Sequence, residues 1–274
     1  MHDHGLSRDL ALIVARRRML QLTGAAATGV LLSACGFGPP GRSEPNRTGK
    51  AADGSTCIKD PAETNGPYPA DGSNARNGAT LNVLTQSGIA RADLRTSFAG
   101  MTAVANGAQL DLLLTLIDVA KACVPLANHV VYVWHCDAGG KYSLYDLEDR
   151  NYLRGVGVTD AAGQVKFTTV FPGCYAGRWP HIHFEVFANL QSATGAKNSL
   201  LTSQLAMPGD AAKALYAANP LYAASVANLA DIPLVRDNVF ADNTAEQLSA
   251  MTLRIAGDGA SGFQAQATIG ITTA

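Results

Sequence analysis

From residue 57 onward, apolar positions fall in short stretches, often β-branched or aromatic, that end at turn residues; this is the pattern of strands in a buried or half-buried sheet. It predicts strands over 110–118, 129–137, 164–170, 181–187, 200–205, 251–255 and 263–269. Between 170 and 181, Pro172, Gly173, Gly177 and Pro180 mark a loop. The Ala-rich stretch 209–228, with Tyr216 and Tyr222, predicts short helix. The rest of 206–250 carries no pattern that places it, and is expected to help shape a pocket. Spaced strands separated by Gly/Pro turns predict one all-β domain over 57–274, a β-sandwich with loop and short-helix insertions. No internal repeat, GxGxxG or P-loop signature points to a nucleotide enzyme.

The start of the chain follows a different pattern. Arg16, Arg17 and Arg18 precede a short, weakly apolar run that ends in small residues at Leu32-Ser33-Ala34-Cys35. Residues 1–34 are therefore expected to be a signal peptide of twin-arginine type. Cys35 is the expected lipid attachment site, which would make the protein a periplasmic or cell-surface lipoprotein of a bacterial envelope. Residues 35–56, rich in Gly, Pro, Ser and Asn, are expected to form a flexible tether.

Composition narrows the function classes. A formal net charge of −1 gives no basic surface for nucleic acid, and 16% charged residues with 47% hydrophobic exclude global disorder. The five cysteines are too few for a disulfide-built scaffold and too scattered for paired CxxC zinc sites.

Candidate chemistry centres on His181-Ile182-His183-Phe184-Glu185-Val186-Phe187. In a strand, alternation puts both histidines on one face and Ile182, Phe184 and Val186 on the other. Two imidazoles at i and i+2 form a compact metal chelate. His135, on another predicted strand beside Trp134, is either a core residue or a third ligand in a His-only zinc or copper site.

The neighbouring segments carry a resemblance. Glu63-Thr64-Asn65-Gly66-Pro67-Tyr68, Trp134-His135-Cys136-Asp137 running on to Tyr142, Leu153-Arg154-Gly155-Val156 running on to Thr159-Asp160, and the Phe171–His183 segment with Tyr175 and Arg178 are similar to the motifs of the intradiol ring-cleavage dioxygenases, closest to their secreted, protocatechuate-dioxygenase-like branch. The resemblance implies a two-sheet catalytic core and mononuclear non-haem Fe(III) held by Tyr142, Tyr175, His181 and His183. It further implies Arg178 as an active-site cation, Gln204 as a substrate-pocket residue, Tyr175 as the ligand that departs during catalysis, and a catechol-type substrate cleaved with O2 to a muconate-type dicarboxylic acid. Tyrosinate is a hard anionic donor suited to Fe(III). Asn65 stands where an acidic residue is usual in the family, and no long helical dimerisation segment precedes the domain. Tyr68, Tyr132, Tyr145 and Tyr152 are either pocket walls or tyrosines without a role in the site. The alternative to the enzyme is an exported sandwich that kept the fold for binding.

Four cysteines remain after Cys35. A Cys57–Cys123 disulfide is the favoured pairing, because it pins the N-terminal arm and closes a long loop; free buried thiols are the alternative. Cys174, next to Tyr175, is expected to be packed or bonded.

Overall fold

In the computed structural model, which describes residues 47–273, alternation along Gln109–Asp118 builds a long inner strand: Leu110, Leu112, Leu114 and Leu116 are buried on one face. The strands in chain order are β1 (Thr48–Lys50), β2 (Thr56–Ile58), β3 (Asp71–Arg76), β4 (Ala79–Asn82), β5 (Gln109–Asp118), β6 (Val124–Pro125), β7 (Val130–Trp134), β8 (Arg154–Val158), β9 (Gln164–Val170), β10 (His181–Phe187) and β11 (Leu201–Ala206). Helices α1 (Gly209–Ala218), α2 (Ala223–Asp231) and α3 (Ala245–Met251) follow, then β12 (Arg254–Asp258) and β13 (Gly262–Ile271). The expected signal peptide, Cys35 and the first part of the expected tether lie outside the described residues.

Two sheets face each other. One has the order β11-β10-β7-β8; in the other, β12-β13-β5-β6, β5 also pairs with β9. Their shared core takes the leucines of β5, Val131 and Val133 of β7, Ile182, Phe184 and Val186 of β10, and Ala265, Ala267 and Ile269 of β13. The fold is therefore the expected β-sandwich. The outer face of the four-stranded sheet is buried too, under loops that bring Val83, Leu84, Phe98 and Tyr142 onto Val130, Tyr132 and Trp134. That second burial explains why all seven residues of β10 are inside.

Several expectations are corrected. The span read as tether over 35–56 ends in an ordered hairpin, since β1 pairs with β2; the favoured Cys57–Cys123 disulfide, by contrast, is present, with Cα atoms 6.1 Å apart. The strand predicted over 251–255 begins later, at Arg254, because Met251 closes α3, whose start is fixed by a Thr244/Gln247 capping box. The strand predicted over 129–137 is shorter, since the chain turns at Asp137, whose side chain accepts from the backbone N–H of Gly139 and Lys141. β8 has no prediction behind it, because glycines replace half of its pattern. Gly157 is required by close packing: a Cβ there would stand 2.4 Å from Val165 Cγ2. The predicted helix over 209–228 is present as α1 and α2.

Candidate metal centre

The site lies on the loop-covered face of the four-stranded sheet. Register sets Gln204 of β11, His183 of β10, Trp134 of β7 and Arg154 of β8 side by side across that face. His181 stands two residues before His183 and shares its face. Tyr142 enters from the loop after β7, and Tyr175 from the Pro-Gly loop before β10.

The four side chains converge. His181 Nε2 lies 3.1 Å from His183 Nε2, 3.5 Å from the Tyr142 hydroxyl and 3.4 Å from the Tyr175 hydroxyl. Ligands bonded at about 2.0–2.2 Å to one ion stand about 3 Å from one another, so this spacing suits a shared metal. His181 donates its Nδ1–H to the Trp179 carbonyl, which leaves the Nε2 lone pair directed at the cluster. His183 lies flat on Trp134, ring centroids 4.8 Å apart, and its buried Nδ1 has no hydrogen-bond partner among the described residues.

Burial fixes the charge states. Burial, and then the Arg178 charge, lower the His181 pKa to about 3. Burial, and then His181, push His183 well below the usual histidine range. Both imidazoles are thus neutral, the form that binds metal. Burial and the neighbouring Tyr175 raise the Tyr142 phenol well above its ordinary value, so a bound cation must supply the free energy that ionises it. Two neutral imidazoles and two phenols form a donor set that fits Fe(III). Tyr142 is buried, whereas Tyr175 is half-buried on its loop.

Arg178 is 4% exposed. It donates from Nε to Asp237 Oδ2 at 2.9 Å and from Nη2 to Gln204 Oε1 at 2.7 Å, and its Nη1 lies 3.5 Å from the Tyr175 hydroxyl. Gln204 in turn donates to the Thr64 carbonyl at 2.8 Å. The expected pocket glutamine therefore links Arg178 to the segment 63–68. That segment crosses the site. Tyr68 stacks on Tyr142 at 4.6 Å, and Gly66, with φ +67°, sits where a Cβ would be 3.3 Å from His183 Cε1.

His135 goes elsewhere. Its Nδ1 is 2.7 Å from the Cys136 carbonyl and its Nε2 2.8 Å from Thr169 Oγ1, so both nitrogens are occupied away from the cluster. Among the described residues no three His, Cys, Asp or Glu side chains gather as a metal site. His135 therefore does not join His181 and His183 in a three-histidine cluster among the described residues. Cys174 is a buried free thiol, raised to about 12 chiefly by burial, so no thiolate stands beside Tyr175.

Two buried charged residues that hold the candidate site in place are not singled out by the sequence. Asp237 follows a 3-10 turn at Leu234–Arg236 in the segment without a pattern. Arg154 is fully buried and donates to Ser143 Oγ, to the Ser143 carbonyl and to the Pro69 carbonyl, each at 3.0 Å, which pins the chain next to Tyr142. Its motif was visible, but nothing in the motif said what the guanidinium would hold.

Comparison with known proteins supplies a relationship. The family profile described as Dioxygenase matches residues 105–255. Over 100 residues, 31% of this chain, the sequence is 36% identical to the protocatechuate 3,4-dioxygenase beta chain of Burkholderia cepacia, and the match spans 40% of that chain's length. The solved intradiol ring-cleavage dioxygenase from Tetranychus urticae is similar in fold, with a TM-score of 0.58 and 22% identity over 79% of this chain and 95% of that one.

Proposed function

The chain belongs to the intradiol ring-cleavage dioxygenase family, and from that premise we propose that it cleaves a catechol-type ring with O2 between the two hydroxylated carbons, giving a muconate-type dicarboxylic acid. The observation that carries the reading is the convergence of Tyr142, Tyr175 and His183 on His181 Nε2 within 3.5 Å. Mononuclear ferric iron held by these four residues would supply the Lewis acidity and redox chemistry that open an electron-rich diphenol to O2.

The protein's own groups divide the remaining work. Tyr142, packed under Tyr68, and the two buried histidines are the fixed part of the site. Tyr175 is the movable part: half-buried on a Pro-Gly loop, its oxygen can leave the cluster and take a proton from the incoming diol. Arg178 holds its Nη1 beside that oxygen, where negative charge develops during the reaction. Gln204 and the segment 63–68 close the site from the opposite side and exclude water. Turnover under 18O2 tests the reading: the dicarboxylic product should carry two labelled atoms. A product with one labelled atom, or no ring opening with any of a panel of neutral and carboxylated catechols, would overturn it.

We also propose that the Arg16-Arg17 pair sends the folded protein out of the cytoplasm and that Cys35 anchors it. An Arg16→Lys, Arg17→Lys variant should accumulate unprocessed, and Cys35→Ser should release the mature protein from membranes. Normal processing of the first variant, or membrane retention of the second, counts against the proposal.

A further inference from the structure

A buried guanidinium requires a counter-charge and a partner for each N–H, or its burial is strongly unfavourable. Arg178 meets that need on one side only. Asp237, 0% exposed, receives Nε through Oδ2 at 2.9 Å and Nη2 through Oδ1 at 3.4 Å. Gln204 takes the other Nη2 bond. The fork is thus gripped along its Nε/Nη2 edge, and Nη1 is left turned toward the Tyr175 hydroxyl at 3.5 Å. Because a guanidinium is planar and rigid, fixing one edge sets the direction of the remaining corner.

Asp237 is itself held in place. Its Oδ1 accepts from the backbone N–H of Val239 at 2.8 Å and of Phe240 at 3.3 Å, and its Oδ2 accepts from the Trp179 N–H at 2.7 Å. Trp179 is also the residue whose carbonyl receives His181 Nδ1–H. One carboxylate therefore grips Arg178 directly and the backbone that orients His181.

We infer that Asp237 is the positioning residue of Arg178, aiming the guanidinium at the oxygen of Tyr175; this deepens the ring-cleavage reading and rests on it. Asp237→Asn is the informative variant. The amide oxygen can keep the Val239 and Phe240 contacts, while an NH2 group replaces the oxygen that accepts from both Arg178 Nε and the Trp179 N–H. A small misplacement of a catalytic group costs about 100-fold in rate, so kcat should fall by about that factor. KM should stay near wild type, because no substrate contact is removed; iron content is read beside it, and a fall in kcat that only tracks lost iron would overturn the inference. In an Arg178→Gln background the same substitution should add almost nothing, since the group it positions is gone. Asp237→Glu keeps the charge and should recover part of the rate; it carries the test if Asp237→Asn does not fold.

A second readout needs no metal. In the iron-free protein the Arg178 Nε–H signal should be protected from exchange in the wild type and exposed in Asp237→Asn. An active wild type whose Asp237→Asn variant keeps full kcat, or whose two substitutions are additive, would overturn the inference alone. A wild type that binds no iron and opens no ring would overturn the underlying reading, while the Nε–H measurement would still report on the grip itself.

Discussion

His181 is buried with its Nδ1–H on the Trp179 carbonyl, so its lone pair faces three other donor atoms and no solvent. In the proposed iron centre the four donors are therefore not equivalent. His183→Ala removes a neutral imidazole for which the described site has no substitute, and iron should bind more than about 100-fold more weakly. Tyr175→Phe removes the half-buried, loop-borne donor. It should retain part of the iron yet lose about 100-fold or more in kcat, since the proton acceptor is gone. Metal analysis alongside turnover separates the two; equal iron loss in both variants would contradict the division into fixed and movable donors. Alternation along β10 made the two histidines legible from sequence, because strand period alone puts them on one face. Asp237 was not legible. It becomes part of the site only when the segment after α2 folds back onto Trp179, a contact no local pattern encodes.

At the scale of elements, the N-terminal arm from β1 to β2 leads directly into the segment that crosses the site. Two features hold it. The Cys57–Cys123 bond joins residues 66 apart in sequence, and Asp60, 1% exposed, accepts from the Gly270 N–H of β13 at 2.7 Å. Replacing both cysteines by serine should lower stability by about 2–4 kcal/mol, read from denaturant midpoints, because the unfolded chain regains the entropy of a long open loop. Burial raises the Asp60 pKa to about 7. The folded state then binds a proton that the unfolded state has released. Stability from this group is complete below the ordinary carboxylate range and is lost as pH rises through about 7, by on the order of 4 kcal/mol. Asp60→Asn should flatten that part of the pH–stability curve; an unchanged slope would show that another group dominates it. The long apolar strands were legible because burial follows their period. β8 was hidden by glycines that close packing requires, and β12 was placed too early because a helix cap precedes it.

For the whole molecule, the two sheets meet through a continuous apolar core, and the chemistry sits on the opposite face of one sheet, covered by loops from distant parts of the sequence. One strand, β10, supplies both histidines, while loops supply the tyrosines and the Arg178–Asp237 pair. The proposed centre on this face is ferric iron held between two tyrosines and two histidines. Metal analysis with a visible spectrum of the purified protein, expressed with ample iron, tests it most directly. One iron per chain and a visible tyrosinate-to-iron charge-transfer band that shifts on anaerobic addition of catechol are predicted. A colourless, iron-free protein would contradict the account.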